Sequence, residues 1–348
     1  MSGTSLDGLD IAFCTFTKDS EQWRYSIEKA ETIKYSPSWT RNLADAHSLT
    51  GEALLALDVA YGKLLGEKCL EFIRKNKLKI DFIASHGHTI YHQPKKGFTF
   101  QLGSGHAIHA ITGLSVISDF RSLDVALGGQ GAPLVPAGDK ILFNEFDVCL
   151  NLGGIANLSH DVNGKRKAFD ICFANMATNY LASKKGKAFD NKGALASSGV
   201  VNPVMLKALT KVYAKYSVKR PSLGREIFEK EIKPILETKK ISIEDRLRTF
   251  IESTAIEILA ALPSSENTVN VLCTGGGAYN SFLILTLLNK CTDQVSFIIP
   301  EDEVVKFKEA LIFAFLGVLR VRNEVNCLTS VTGAKRDSSG GLMIGFNR

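Results

Sequence analysis

The sequence lacks the features that mark several large classes of protein. No apolar run approaches the roughly 18 residues of a transmembrane helix, and the polar N-terminus has no secretory signal pattern. The seven cysteines form no C-x-x-C pair and mostly lie in apolar segments, which indicates buried free thiols in a reducing compartment. The net charge of +6 is dispersed, without a basic stripe interleaved with aromatics. We therefore expect a cytoplasmic protein that binds neither membranes nor nucleic acid.

Two common phosphate-binding motifs are also missing. The P-loop pattern G-x-x-x-x-G-K-[ST] does not occur, and no G-x-G-x-x-G follows a strand-like segment. Three other glycine-rich turns are present, within residues 1–10, 148–158 and 269–280. Glycines leave room for a ligand beside the backbone. Three such turns match the plan of the actin/hexokinase/Hsp70-type nucleotide-binding fold, in which two turns grip phosphates and a third lies under the adenosine.

The first turn, MSGTSLDGLD, has the composition of a phosphate–Mg²⁺ site. Its glycines permit close approach, its hydroxyls and amides can face an anion, and its acids can hold a metal directly or through water. These residues are Gly3, Thr4, Ser5, Asp7, Gly8 and Asp10. An ordinary polar turn is the alternative, which we would favour if the two later turns were absent.

The length of 348 residues fits two domains. Strand-like and helix-like segments alternate through both halves, which predicts α/β layers with largely parallel sheets. We predict a two-domain α/β, actin/hexokinase-like (ribonuclease H-like) fold with an interdomain nucleotide cleft. Domain 1 is predicted to comprise residues 1–124 and 305–348, and domain 2 residues 125–304.

Asp170 follows a strand-like segment and precedes a predicted helix. It could be a helix N-terminal acid that the helix dipole stabilises, or a general base at a strand end. The residues alone leave these two interpretations equal.

Three further segments carry polar side chains at predicted strand or helix ends. His86 and His88 flank a glycine, and without a third ligand at suitable spacing a sugar-binding cluster is favoured over a metal site. Arg121 suits the capture of a carboxylate or phosphate, or it pairs with Asp119. Glu309 opens a helix with an apolar face, and it faces either solvent or the cleft.

Over nearly its whole length the chain resembles the anhydro-N-acetylmuramic acid kinase family. The segments that carry the resemblance are MSGTSLDGLD (1–10), SHGHTIYHQP (85–94), DFRSLDVALGGQGAPLVP (119–136), NLGGIANLS (151–159), FDICFANM (169–176), FDNKGALASSGVVNP (189–203), PSLGREIF (221–228), CTGGGAYN (273–280), KEALIFAFLG (308–317) and SVTGA (330–334).

The resemblance implies an ATP- and Mg²⁺-dependent kinase of peptidoglycan recycling. Water would open 1,6-anhydro-N-acetylmuramic acid at C1 while O6 takes the γ-phosphoryl group, giving N-acetylmuramic acid 6-phosphate. Asp170 would be the base that activates the water, and the family implies a homodimer. The implied phosphate and adenosine contacts are Ser2, Gly3, Thr4, Ser5, Asp7 and Gly8, then Gly153, Gly154 and Asn157, then Gly275, Gly276 and Gly277. The implied metal contact is Asp7, and the implied sugar contacts are His86, Thr89, Arg121 and Glu309.

The chain departs from the family pattern in three places. A strand usually precedes the first turn, so we expect a central strand of domain 1 to be missing, through either a late annotated start or a loss. Cys172-Phe173-Ala174 replaces a Gly-Pro-Gly loop and could narrow access near the phosphates. His88 replaces a Gln and could change substrate choice. A same-fold kinase for another amino sugar and a catalytically weak nucleotide-binding protein are therefore the alternatives.

Overall fold

The computed structural model describes residues 1–3, 6, 8–20, 22–238 and 240–346. The chain divides into unit 1, Met1–Leu142 with Phe307–Arg348, and unit 2, Phe143–Lys306. Both combine helices with sheets, so the predicted α/β class is confirmed. All seven cysteines are free, and four of them are buried. Among the helices described, none is long and apolar enough to span a bilayer.

The strands are β1 (Leu9–Asp19), β2 (Gln22–Ile33), β3 (Ile83–Ala84), β4 (His88–Gln93), β5 (Phe98–Leu102), β6 (Val116–Ser118), β7 (Val148–Leu152), β8 (Ile155–Val162), β9 (Lys165–Phe173), β10 (Val269–Thr274), β11 (Val295–Ile298) and β12 (Leu342–Ile344).

The helices are α1 (Pro37–Asp45), α2 (Gly51–Asn76), α3 (Gly105–Thr112), α4 (Ser122–Ala126), α5 (Val135–Leu142), α6 (Asn175–Ser183), α7 (Ala194–Ser197), α8 (Pro203–Ala214), α9 (Arg225–Ile227), α10 (Lys233–Leu236), α11 (Ile243–Ala261), α12 (Ser281–Lys290), α13 (Asp302–Val321) and α14 (Thr329–Thr332).

Unit 2 contains a mixed sheet in the order β11-β10-β7-β8-β9. β11, β10 and β7 are parallel, whereas β7, β8 and β9 form an antiparallel meander. The apolar faces of α6, α8 and α11 contribute to the core around this sheet, which includes the fully buried Leu150, Phe250 and Ile258. The expectation of largely parallel sheets is wrong, because short turns join β7 to β8 and β8 to β9 and force an antiparallel order.

Unit 1 contains the hairpins β1·β2 and β4·β5 and the small sheet β12-β6-β3. β3 and β6 are parallel, and the other pairs are antiparallel. Its core packs α2 and α3 beside these strands, around the fully buried Tyr61, Leu102 and Ile108.

The first crossing between units lies at Leu142/Phe143, later than the predicted 124/125. The intervening segment belongs to unit 1 because it packs there. The Asp124 carboxylate accepts from Gly131 N at 2.7 Å and from Thr332 Oγ1 at 2.7 Å. Asp139 forms a buried ion pair with Lys308 at 2.8 Å. The second crossing, at Lys306/Phe307, falls two residues after the predicted 304/305.

Two glycines of α2 allow the close approach of α3. A Cβ on Gly62 would lie 2.6 Å from the carbonyl oxygen of Ser104, and one on Gly66 would lie 2.9 Å from Ile111 Cβ. The Ser104 carbonyl is part of the backbone, so it cannot move away from an added Cβ without displacing the start of α3.

We predict that Gly62→Ala lowers the free energy of unfolding of unit 1 by about 1–3 kcal/mol, because overpacking outweighs the better helix propensity of alanine. Urea unfolding followed by tryptophan fluorescence measures this, since Trp23 and Trp39, the chain's two tryptophans, both lie in unit 1. Gly51→Ala is the control in the same helix, because no atom lies within 4 Å of its added Cβ. Equal stabilities of the two variants would contradict the close-packing explanation.

Candidate active site

The second and third glycine turns of unit 2 lie at one edge of its sheet. β7 and β10 are neighbouring parallel strands, with Asn151 opposite Thr274 in register. Gly153 and Gly154 follow β7, and residues 275–277 follow β10. The carboxyl ends of parallel strands are where α/β sheets commonly bind ligands. The predicted phosphate and adenosine turns of unit 2 are therefore brought together.

The three glycines of the β10 turn differ in what they permit. Gly275 has φ +80°, and a Cβ there would lie 2.5 Å from Asn151 Oδ1. A Cβ on Gly277 would lie 2.7 Å from the Cβ of Leu152. Gly276 is exposed, and the nearest atom to its added Cβ is 3.5 Å away. Gly275 and Gly277 thus let the turn pack on the end of β7, while Gly276 presents open backbone.

The β7–β8 turn holds the start of α6. Gly154 O accepts hydrogen bonds from Ala174 N at 2.9 Å and Met176 N at 3.1 Å, and Gly153 O accepts from Asn175 N at 3.1 Å. The exposed Gly154 has space beside it, since its added Cβ would be 3.9 Å from the nearest atom.

Asn175 links these elements and was missed by the sequence reasoning. Its Nδ2 donates to Leu152 O at 3.1 Å, and it also lies near Gly276 and Gly277. The signal was available, because Asn175 stands within the motif FDICFANM.

Asp170 lies within β9, opposite Asn157 of β8, beside a bulge between Ala156 and Asn157. Bulges of this kind redirect side chains and are frequent near active sites. The helix-terminus interpretation of Asp170 is wrong, because α6 begins only at Asn175.

The carboxylate of Asp170 is half-buried and held by a neighbouring loop. Its Oδ2 accepts from Leu223 N at 2.8 Å, and Ser222 donates a second, side-chain hydrogen bond. Desolvation raises the pKa of Asp170, and the two hydrogen bonds oppose this rise because they stabilise the charged form. The group has the properties of a general base. Neither Ser222 nor Leu223 was singled out from the sequence, although both stand within PSLGREIF.

The bulky segment after Asp170 packs into the core of unit 2, and the narrowing of access near the phosphates stays a prediction. Cys172, Phe173 and Ala174 are buried in the core of unit 2, and the Phe173 ring contacts Phe228 at a centroid distance of 5.5 Å. The added volume therefore serves packing.

The first turn begins with a buried hydrogen-bond network in unit 1. Ser2 Oγ lies 3.0 Å from His88 Nδ1 and accepts from Tyr35 OH at 2.8 Å, and Tyr35 OH lies 2.6 Å from Tyr61 OH. His88 therefore faces the first turn. Tyr35 and Tyr61, which were not predicted as site residues, extend the hydrogen-bond network that starts at Ser2. Gly3 O accepts from Leu6 N at 3.3 Å.

Gly8 is buried, and its Cβ would meet Ile33 O at 2.8 Å. The predicted contacts Thr4, Ser5 and Asp7 lie outside the described residues.

The predicted sugar-side cluster is partly assembled within unit 1. Arg121 Nε and Nη2 lie 3.0 and 2.9 Å from His86 Nε2, and Nη1 donates to Gly131 O at 2.6 Å. Asp119 accepts a hydrogen bond from Ser122 N. Arg121 therefore binds His86 and Gly131 in place of the suggested pairing with Asp119. His86 Nδ1 lies 3.0 Å from Gly87 O, which fixes the neutral tautomer with the proton on Nδ1.

Electrostatics tie Glu309 to this cluster. Burial lowers the pKa of Arg121 to about 10, and Glu309 opposes that shift, so Arg121 stays charged at neutral pH. The Glu309 side chain reaches solvent, and desolvation raises the pKa of its carboxyl against the opposing effect of Arg121. Thr89 Oγ1 accepts from Gln101 Nε2 at 3.5 Å.

The residues described contain no group of three or more His, Cys, Asp or Glu side chains that could hold a metal ion. The predicted metal contact, Asp7, lies outside them. The described donor set therefore supplies no metal site by itself.

An α/β chain with a desolvated carboxylate on the sheet that also carries two clustered glycine turns fits a phosphotransferase with an alcohol group as acceptor. A sequence profile described as anhydro-N-acetylmuramic acid kinase matches residues 1–345. The chain belongs to the anhydro-N-acetylmuramic acid kinase family.

Relatives carrying that name align over nearly the whole chain. The protein from Sulfurimonas denitrificans is 32% identical, covering 97% of this chain and 96% of its own. The protein from Mannheimia succiniciproducens is 33% identical, and the alignment covers 99% of this chain and 97% of that protein. The protein from Pseudomonas fluorescens is 34% identical, and the alignment covers 96% of this chain and 95% of that protein.

Two solved structures align at lower sequence identity. The activator of 2-hydroxyisocaproyl-CoA dehydratase from Clostridium difficile with bound ADPNP aligns with a TM-score of 0.34 and 16% identity, covering 65% of this chain and 87% of its own. Component A of the (R)-2-hydroxyglutaryl-CoA dehydratase from Acidaminococcus fermentans aligns with a TM-score of 0.33 and 15% identity, covering 60% and 71%.

We predict that the stability contributed by His86 depends on pH. Burial, and then Arg121, keep the pKa of folded His86 well below its ordinary value of 6.5, whereas the unfolded chain takes up this proton below about pH 6.5. Falling pH therefore favours the unfolded state by roughly 1.4 kcal/mol per pH unit in this range. Because Asn cannot take up the proton, the stability difference between the parent chain and His86→Asn should shrink by about 1.4 kcal/mol between pH 7.5 and 5.5.

Urea unfolding at both pH values measures this difference. Phe313→Leu is the control, because it removes the ring that contacts His86 at 4.5 Å without removing a titrating group. A His86→Asn difference that stays constant with pH would show that His86 takes up its proton in the folded state as well.

Proposed function

We propose that this chain uses ATP to convert 1,6-anhydro-N-acetylmuramic acid to N-acetylmuramic acid 6-phosphate. Water forms a new bond to C1, the C1–O6 bond breaks, O6 bonds to the γ-phosphorus and ADP leaves. Asp170 takes the proton that the attacking water loses. The observation that carries the proposal is a desolvated carboxylate of raised pKa on the same sheet as two glycine turns, in a chain of this family.

We assign the remaining predicted residues to binding. Backbone groups of the first turn and of residues 153–157 would hold the phosphates, and residues 275–277 would lie under the adenosine. His86, Thr89, Arg121 and Glu309 would contact the sugar, with the charged Arg121 suited to its lactyl carboxylate. Mg²⁺ would neutralise phosphate charge, held by Asp7 directly or through water.

The biological setting follows from the same proposal. The reaction would serve peptidoglycan recycling, and the chain would act as a homodimer.

A different amino sugar is less well supported as the substrate. That alternative depended on His88 and Arg121. The His88 ring is buried and hydrogen-bonded to Ser2, and the Arg121 guanidinium binds His86.

We expect ADP release from ATP and Mg²⁺ only with the anhydro sugar. A coupled ADP assay that compares it with N-acetylmuramic acid and N-acetylglucosamine measures this. Release with either of the other sugars instead would replace the substrate assignment while leaving the kinase assignment intact.

Asp170→Asn should lower kcat by at least about 100-fold, because the amide cannot accept the proton, while the Kd for ATP changes little. The coupled assay and calorimetry measure the two quantities. Asp293→Asn, in an exposed loop of the same unit, is the control and should retain full activity. Normal turnover by Asp170→Asn would refute the assignment of the base.

The pH profile should depend on Ser222. Activity requires ionised Asp170, so kcat/KM should fall about tenfold per pH unit below the raised pKa of this carboxyl. Ser222→Ala removes a hydrogen bond to the charged form, so the acidic limb should move to higher pH. Ser217→Ala, whose hydroxyl bonds to Ala214 O, is the control. An unmoved limb in Ser222→Ala would assign that limb to another group.

A further inference from the structure

A buried carboxylate to which the proposed function gives no role lies on α4. Asp124 is 1% exposed and accepts hydrogen bonds from Gly131 N at 2.7 Å, from Thr332 Oγ1 at 2.7 Å and from Cys327 Sγ at 3.0 Å. Burial, and then the hydrogen bond to Asp124, raise the pKa of the Cys327 thiol, which therefore keeps the proton that it donates. Because a carboxylate only accepts, these three donors suit Asp at position 124 and do not suit Asn.

The same contacts hold a loop, residues 127–131, against the end of α14. Gly131 N donates to the Asp124 side chain, and Gln130 N donates to Thr332 O at 2.9 Å. Since Thr332 also donates its hydroxyl to Asp124, the carboxylate, the loop and α14 form one closed set of hydrogen bonds. A change at Asp124 therefore reaches the loop directly and through Thr332.

Gly131 connects this set of hydrogen bonds to Arg121. Its amide binds Asp124, and its carbonyl oxygen accepts from Arg121 Nη1 at 2.6 Å. Gly131 has φ +67°, and glycine adopts many other backbone conformations at little cost, so its carbonyl keeps one direction only if the residue is held. Asp124 thus fixes the amide of the residue whose carbonyl fixes Arg121.

The Arg121 guanidinium keeps donors for a ligand. Of its five N–H groups, the contacts among the described residues use three, because Nε and Nη2 point to His86 Nε2 and Nη1 points to Gly131 O. One N–H on Nη1 and one on Nη2 therefore remain, and two such donors can bind the two oxygens of a carboxylate. A rotated guanidinium would misplace both.

We propose that Asp124 is a positioning residue that sets the direction of the Arg121 guanidinium through Gly131, and thereby the affinity for the carboxylate of an acidic sugar. This role for Asp124 rests on the proposed function, in which Arg121 faces the lactyl carboxylate. Asp124 is buried and acts through the loop, so its replacement weakens sugar binding and leaves the chemical step at Asp170 unchanged.

Asp124→Asn is the first test, because it keeps the size of the side chain but turns an amide nitrogen toward at least one donor. We expect the KM for the anhydro sugar to rise about tenfold, while kcat and the Kd for ATP change less than about twofold. The coupled ADP assay and calorimetry measure these quantities. Asp337→Asn is the matched control, because Asp337 also accepts from a backbone amide and a threonine hydroxyl, those of Thr329, at 2.7 and 2.9 Å.

A double-mutant cycle tests whether Asp124 acts through Arg121. Calorimetry of the anhydro sugar gives the Kd for Arg121→Ala, for Asp124→Asn and for the double variant. We expect Arg121→Ala to raise this Kd at least about 30-fold, and Asp124→Asn to add less than about twofold in the Arg121→Ala background. A general structural effect of Asp124→Asn would instead weaken binding by the same factor in both backgrounds, and would overturn the positioning role.

The outcomes separate this role from the proposed function. If Arg121→Ala leaves the Kd for the anhydro sugar unchanged, the assignment of Arg121 to the sugar is wrong, and the role of Asp124 falls with it. If Arg121→Ala weakens binding and Asp124→Asn does not, only the role of Asp124 is overturned.

Thr332 provides variants that keep the test decisive if Asp124→Asn does not fold. Thr332→Val removes one donor to the Asp124 carboxylate, whereas Thr332→Ser keeps the hydroxyl. We expect Thr332→Val to raise the KM for the anhydro sugar about threefold and Thr332→Ser to retain the KM of the parent chain. Equal KM values for the two variants would overturn the proposal.

Discussion

The end of β7 and the turn after β10 are packed so closely that only hydrogen atoms fit at two positions between them. A side chain on Gly275 would meet Asn151, and one on Gly277 would meet Leu152. The Leu152 carbonyl in turn accepts from Asn175, which starts α6, and α6 is capped by the carbonyls of the β7–β8 turn. Because the interior around these contacts is dense, separating β7 from β10 would disturb both turns and the helix together.

Opposing effects set the charge state of the candidate groups. Burial disfavours a charged Asp170, and two hydrogen bonds from the 222–223 loop favour it, so burial outweighs them and the pKa of the carboxyl stays raised. In unit 1 burial also disfavours charge on Arg121, which a neutral histidine acceptor and a nearby acid counteract. Asp170 in unit 2 and Arg121 in unit 1 are thus both desolvated groups whose burial is opposed by hydrogen bonds.

Unit 1 contains a cavity that β1 helps to line. Its strands are distributed over separate small sheets, and β1 is only partly buried where it borders the cavity. The tyrosine–serine–histidine network beside the cavity anchors the chain at Ser2.

The sequence by itself determined the α/β class, the three glycine turns and the family, because these depend on local composition and on the order of motifs along the chain. The residues around Asp170 left two interpretations equal, and only the resemblance to the family implied a base there; Asn175, Ser222 and Tyr35 were missed. Only the tertiary structure brings these side chains to their partners, since Asp170 is held by a loop 53 residues away and the Ser2 network joins residues 33 and 86 positions apart. It also moved the first unit crossing to Leu142/Phe143 and turned Cys172 and Phe173 into the core. Hydrogen bonds and burial between distant segments have no local signature, whereas turns and periodic apolar faces do.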